Sequence, residues 1–148
     1  MIPCFLVRIL FGSQPDYLYV WILYAGFGVI LGHNFPFYLN FKGGKGIAAT
    51  AGIVTSLDWR LMLLCLAAFV LVVAVTRYVS LGSLIVSTIL VVWNVVMGQM
   101  GAYGLSAAAR PEFYGISAVI AAMAFWRHRA NIVRLVQGKE NKVGAKKK

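Results

Sequence analysis

From Leu61 to Val75 the chain carries no charged side chain, and Asp58–Trp59–Arg60 and Thr76–Arg77 bracket the run on either side. In hydrocarbon every backbone amide must be bonded within its own segment, so a run of this kind folds as an α-helix. Four further apolar runs lie at Tyr17–Leu31, Ile47–Leu57, Leu81–Met97 and Phe113–Phe125. Overall, 61% of residues are hydrophobic and 12% charged, against about 25% charged in ordinary soluble domains. The expectation is an all-α, polytopic integral membrane protein. It has a single membrane domain over 1–148, with about five transmembrane helices (17–31, 47–57, 61–75, 81–97 and 113–125) and a basic tail at 127–148. No length is left for a separate soluble domain.

The punctuation between these runs is consistent with that reading. MIPCFLVRIL has Arg8 after its apolar stretch rather than before it and lacks a small-residue cleavage site, so it reads as a short stub and not as a signal peptide. Pro15 and Asp16 are placed to start a helix. Tyr17, Tyr19, Trp21 and Tyr24 give the first span the aromatic start of an interface. Loops are expected at His33–Gly46, at Thr76–Ser80 and at Gly98–Pro111. In the tail, Ile132, Leu135 and Val136 fall on one helical face, as in a helix lying along a membrane surface. Cys4 and Cys65 have no metal-ligand spacing and read as small hydrophobes, so no metal is expected.

The net charge is +10, yet eight of the fourteen Lys and Arg lie at Arg127 or beyond, beside the last apolar run. That placement points to the cytoplasmic face of a bilayer and away from nucleic acid. Counting back from a cytoplasmic tail puts Lys42, Lys45 and Arg77 on the same face, with Asp58, Arg60, Arg110 and Glu112 opposite. The orientation agrees with the positive-inside rule.

One stretch concentrates the polar chemistry: LGHNFPFYLNFKGGKG, Leu31 to Gly46. Gly43, Gly44 and Gly46 allow close backbone approach and positive φ, and the helix that follows offers free amides and a positive dipole end to an anion. Lys42 and Lys45 add charged donors. This is not a Walker loop, because no glycine stands at Leu39 or Asn40 and no Ser or Thr follows Lys45. On the residues alone it is either such a site or an interfacial anchor whose lysines snorkel to lipid head groups.

The inferred topology gathers His33, Lys42, Lys45, Arg77, Ser80, Ser83, His128, Arg129 and Asn131 on one face, with no acid nearer in sequence than Glu140. Such a cluster suits anions. The His and Asp of a thioester-dependent glycerolipid acyltransferase are missing, since the fifth residues after His33 and His128 are Tyr38 and Val133. A Ser-His-Asp triad is equally hard to build, because Asp16, Asp58 and Glu112 belong to the far side. His128 and Asn131 are three apart and share a helical face.

GHNFPFYLNFKGGKGIAATAG, RYVSLGS and HRANIVRLVQGKENK resemble three segments of the PlsY family, the bacterial acyl-phosphate:glycerol-3-phosphate 1-acyltransferases, and the similarity runs from about Tyr17 to Lys142. The resemblance implies attack of the 1-hydroxyl of sn-glycerol 3-phosphate on an acyl phosphate, giving lysophosphatidic acid and phosphate without a cofactor. It places His33, Lys45 and His128 at the chemistry. It makes Lys42, Gly43, Gly44, Gly46, Arg77, Ser80, Ser83 and Asn131 substrate contacts. It implies a multi-pass protein of the bacterial inner membrane whose site and tail are cytoplasmic, with membrane lipids around it, no nucleic acid and no obligate protein partner. Family members carry an additional amino-terminal span and a loop rich in glycine, asparagine and threonine that this sequence does not match, so the chain by itself is expected to be weakly active. The rival reading from another class is a small non-catalytic or anion-transporting membrane protein using the same cations.

Overall fold

The computed structural model describes residues 2–144. These form helices α1 (Ile2–Phe11), α2 (Pro15–Asn34), α3 (Ile47–Leu57), α4 (Trp59–Thr76), α5 (Val79–Gln99), α6 (Ala109–Arg127) and α7 (Arg129–Val136), with a 3₁₀ turn at Phe37–Leu39. No strand occurs among the described residues, and the all-α expectation holds. The packing order is a ring: α2 on α3, α3 on α4, α4 on α5, α5 on α6, and α6 back on α2. Helix α1 lies outside the ring against α2 and α3, and α7 caps the ends of α5 and α6.

Phe113, Ile22, Leu23, Ile53, Leu61, Leu90 and Ile120 fill the centre of the ring and are nearly inaccessible. Three helices, α2, α4 and α5, contain stretches long and apolar enough to cross a membrane. The outer wall is plainest in α4, which buries only Leu61 and Cys65 and turns Leu63, Leu66, Val70, Leu71 and Val75 outward. Its start is fixed by Asp58, whose carboxylate accepts from the Arg60 amide and pairs with the Arg60 guanidinium, both at 2.8 Å. That pairing holds the Asp58 carboxyl below its ordinary range. Arg77, at φ 62, ends α4 in the left-handed conformation.

Several local expectations are corrected. The opening stretch is a helix, because Cys4 can bury itself against α2 while Arg8 reaches back to donate to the Ser56 carbonyl at 2.8 Å. His33 belongs to the last turn of α2 and not to the loop. Only Arg77 and Tyr78 interrupt the chain between α4 and α5, so Ser80 and Ser83 lie within α5. Helix α6 starts at Ala109 with Pro111 in its first turn, where a missing amide costs nothing. In the tail, Ile132 and Leu135 are half-buried but Val136 is exposed, and residues 145–148 lie outside the described residues.

On the side of Asp58 and Glu112 a buried network ties α5 to α6. Asn94 Nδ2 donates to Ser117 Oγ at 2.9 Å, Ser117 Oγ donates to the Phe113 carbonyl at 2.8 Å, and the Tyr103 hydroxyl reaches Asn94 Oδ1 at 3.4 Å while accepting from Trp93 Nε1 at 3.1 Å.

Candidate functional site

At the opposite end the chain brings together Lys45 from the glycine loop, Ser80 from the first turn of α5, and His128, Asn131 and Arg134 from the α6–α7 corner. Lys45 Nζ donates to Asn131 Oδ1 at 2.7 Å. Asn131 Nδ2 and Ser80 Oγ both donate to Glu140 Oε1, at 2.6 and 2.9 Å, and Arg134 Nε donates to Oε2 at 2.8 Å.

Glu140 is the residue that reading the sequence left outside the cluster. Its position follows from the end of α7, where Gly138 adopts φ 66, the Gly138 amide bonds the Leu135 carbonyl at 3.1 Å, and the Lys139 amide bonds the Arg134 carbonyl at 2.8 Å. This double closure reverses the chain and returns Glu140 to the helix it has just left. The signal, a glycine two residues before an acid at the end of a predicted helix, is present in VQGKE. Against desolvation that would raise its pKa, the three donors hold the Glu140 carboxyl below its ordinary range.

The glycine loop is seated on the last turn of α2. The Gly43 amide donates to the Asn34 carbonyl at 3.2 Å and the Gly44 amide to the His33 carbonyl at 3.1 Å. A side chain on Gly43 would run into the His33 carbonyl, and one on Gly44 into the His33 imidazole. Gly46, at φ +83, sits over Asn34, whose Oδ1 would lie 3.1 Å from an added Cβ. The loop is clamped from the other side by Arg127, whose Nη2 donates to the Gly43 and Gly44 carbonyls at 2.9 and 2.6 Å. Arg127 was expected only as a tail cation. The glycines are therefore required by what lies on both sides of the loop, and Gly46 also starts α3.

Polar atoms remain unpaired here. His128 is 2% exposed with neither ring nitrogen bonded, and Asn34 is fully buried with neither amide atom bonded. Burial, with Lys45 adding repulsion against a smaller opposing pull from Glu140, lowers the His128 pKa to about 4, so the ring is neutral at pH 7. Burial also lowers the pKa of Lys45, opposed by Glu140 and reinforced by Arg134 and Arg127.

Other expected members stand apart. Ser83 Oγ donates to the Val79 carbonyl at 2.9 Å and so satisfies its own helix. Lys42 is exposed, and Arg77 meets the cluster only indirectly, its carbonyl accepting from the Val143 amide at 2.9 Å. Arg129 donates to the Trp126 carbonyl at 3.0 Å and stacks 4.6 Å above the Trp126 ring. Among the described residues no group of acids, histidines and cysteines could hold a metal ion. The expectation of free Gly43 and Gly44 amides is corrected, since both bond α2 carbonyls, and Asn131 and Ser80 donate to the Glu140 carboxylate, so an anion entering beside the neutral imidazole has to take these donors over from Glu140.

Comparison with known proteins gives this geometry a context. A family model described as glycerol-3-phosphate acyltransferase matches residues 1–138. The glycerol-3-phosphate acyltransferase of Paramagnetospirillum magneticum is 38% identical over 87% of this chain and 62% of its own length. That of Rhodospirillum rubrum is 41% identical over 85% and 53%. A crystal structure of PlsY, an integral membrane glycerol 3-phosphate acyltransferase in its glycerol 3-phosphate form, superposes with a TM-score of 0.76 at 28% identity, covering 93% of this chain and 64% of that one. Its lysophosphatidic acid form superposes with a TM-score of 0.72. The chain thus spans a little more than half to just under two thirds of the length of these relatives.

Proposed function

We propose a function from one premise: the chain belongs to the glycerol-3-phosphate acyltransferase family. On that premise its polar cluster binds glycerol 3-phosphate and an acyl phosphate and transfers the acyl group to the 1-hydroxyl. The observation that carries this reading is the convergence of the Gly43–Gly46 loop, Lys45, Ser80 and Asn131 beside the unpaired, neutral His128. An acyl phosphate is already activated, so positioning and charge neutralisation do most of the work.

In the proposed step the 1-hydroxyl oxygen forms a bond to the acyl carbon, the bond from that carbon to the phosphate oxygen breaks, and inorganic phosphate leaves. With a pKa of about 4, His128 is a weak base, whereas a phosphate monoester takes up its second proton near pH 6. A substrate phosphate oxygen is accordingly the better acceptor of the hydroxyl proton, and His128 serves as a neutral hydrogen-bond partner. Lys45, with Gly46, holds phosphate, while Gly43 and Gly44 fix the loop on the α2 carbonyls; Asn131 and Ser80 exchange Glu140 for the glycerol phosphate; His33 supports the loop from beneath. Lys42 and Arg77 attract the anions from the rim. The distribution of Lys42, Lys45, Arg77, Arg127 and Arg129 at one end supports placing the site on the cytoplasmic side of a bacterial inner membrane.

The test is formation of radiolabelled lysophosphatidate from glycerol 3-phosphate and acyl phosphate, in membranes from cells lacking their own enzyme. It is run on residues 1–148 and on a version extended at the amino terminus to the length of the relatives. Product in either preparation, lost on Lys45→Ala, supports the reading. Phosphate binding without product in both would leave the anion-transporting alternative.

A further inference from the structure

The Leu31–Gly46 stretch divides into two halves with different environments. Its end, Gly43–Gly46, faces the cluster, whereas Phe37–Phe41 before it exposes four large apolar side chains: Phe37 (79%), Tyr38 (72%), Leu39 (53%) and Phe41 (64%). We propose that Phe37–Phe41 is a membrane-inserting wedge, seated in the head-group boundary of the lipid leaflet on the side of the glycine loop. Through it a lipid-like substrate reaches the cluster from the leaflet. The insertion stands without the proposed function; the entry role rests on it.

The wedge is built and not merely left over. Pro36 starts the 3₁₀ turn, its carbonyl accepting from the Leu39 and Phe41 amides at 3.1 and 3.0 Å, and the Lys42 amide bonds the Leu39 carbonyl at 3.0 Å. The Phe37 and Tyr38 rings stand edge to face, with centroids 5.4 Å apart. Asn40 and Phe41 adopt φ 50 and 58. Asn tolerates that conformation, but for Phe it is a strained one, and here it turns an aromatic ring out of the protein. In water, both the strain and the exposed rings oppose folding. In the interfacial layer the rings find the environment aromatic side chains prefer, and the exposed Lys42 beside them can extend its ammonium to the head groups. Two features join the patch to surface already facing lipid. It follows directly from α2, one of the helices able to cross a membrane. Across the loop, Arg127 lies 5.3 Å from the Phe35 ring, and half-exposed Trp126 carries Arg129 over its face. Aromatic rings and cations thus border both sides of the loop that holds Lys45.

Depth measurement tests the wedge directly. Cysteines at Tyr38 and Phe41, and at the exposed Lys139 as a control, are spin-labelled in the full chain reconstituted into bilayers of phosphatidylethanolamine and phosphatidylglycerol. The native Cys4 and Cys65 are 1% and 5% exposed. Collision with lipid-soluble oxygen should exceed collision with a water-soluble nickel chelate at positions 38 and 41, and the order should reverse at 139. Nickel access at 38 and 41 equal to that at 139 would show a solvated loop and overturn the proposal. Immobile labels that neither reagent reaches would show a covering protein segment and overturn it too. For the entry role, Tyr38→Ser and Phe41→Asn, the latter compatible with the left-handed backbone, should raise KM for vesicle-borne acyl phosphate severalfold and leave KM for glycerol 3-phosphate unchanged. Equal changes for both substrates would overturn entry. Absence of turnover in the unsubstituted and extended chains would overturn the acyltransferase reading, with the depth measurement still deciding the wedge.

Discussion

Two polar networks lie at opposite ends of this helix ring, one joining α5 to α6 and the other joining the glycine loop, the start of α5 and α7, and they follow opposite plans. The one around Asn94, Ser117, Tyr103 and Trp93 is neutral, and its donors meet protein acceptors. The one around Lys45, Asn131, Glu140 and Ser80 is charged, and beside it both nitrogens of His128 and both amide atoms of Asn34 lack partners. Leaving a buried polar atom unpaired costs about 1–3 kcal/mol, which a purely structural network has no reason to bear. Unpaired buried atoms also occur at the other end, at Arg110 Nε and Tyr114 Oη, so what sets the second network apart is the combination of unpaired atoms with Lys45, Glu140 and Arg134.

The sharpest way to break this comparison is to substitute one member on each side. Lys45→Ala should lower lysophosphatidate formation roughly tenfold or more, as loss of a charged hydrogen bond to phosphate worth about 1.5–3 kcal/mol does; it also removes the bond to Asn131, so the thermal midpoint in detergent should fall, but by less than the activity. Equal loss of stability and activity would put Lys45 in the structural class. Next come the loop glycines. Gly43→Ala forces a methyl against the His33 carbonyl and, as overpacking, should cost about 1–3 kcal/mol of stability, seen as a lower thermal midpoint in detergent. The three atoms nearest an added Cβ at Gly44 all belong to the His33 ring, so Gly44→Ala placed in a His33→Ala background should cost less than in the wild-type background, an allowance not available to Gly43→Ala.

Asn94→Ala is the counterpart on the closed side. Interhelical hydrogen bonds in bilayers contribute about 0.6 kcal/mol on average and at most about 1.7, so the midpoint should fall modestly while KM for both substrates stays fixed. A separate effect is in pH. His128 has a folded pKa of about 4 against an ordinary 6.5, so between those values the unfolded chain takes up the proton first and stability declines as pH falls. Glu140, held below its ordinary 4.5, loses its contribution only at lower pH still. Melting curves from pH 7 to 5 should therefore flatten in His128→Gln. An unchanged slope would mean that the ring is solvated.

The fold was largely legible because its strongest signals are local. Apolar runs bounded by Asp58–Arg60 and Arg77 give α4 almost residue by residue, and Gly46 gives the start of α3. The site was legible only in part. Lys45, Ser80, His128 and Asn131 were named from motif and spacing, and they do converge. Glu140 and Arg127 were not, since a return of the chain through Gly138 and a guanidinium clamp on carbonyls 83 and 84 residues away in sequence leave no periodic trace. Ser83 was over-read because a serine that bonds its own helix looks, in sequence, like one that faces a ligand. Asn34 was passed over as part of a loop; only its burial under Gly46 sets it apart.

The shortness of α3 has an electrical consequence. Eleven residues rise roughly 16 Å, about half of the 30 Å hydrocarbon thickness, whereas its hairpin partner α4, with eighteen, rises roughly 27 Å. With Asp58 and Trp59 at the far interface, an anion at the start of α3 would lie inside the thickness of the membrane, and part of the transmembrane voltage would drop between it and the bulk solution. A full crossing is worth about 2.3 kcal/mol per elementary charge per 100 mV, and even a fraction of that, multiplied by the charge of a phosphate, is comparable to one hydrogen bond. In sealed vesicles the affinity for a phosphate substrate should shift with an imposed diffusion potential, and an affinity indifferent to voltage would place the loop in bulk water. The energised state of the membrane would then be a term in how tightly this site holds a phosphate.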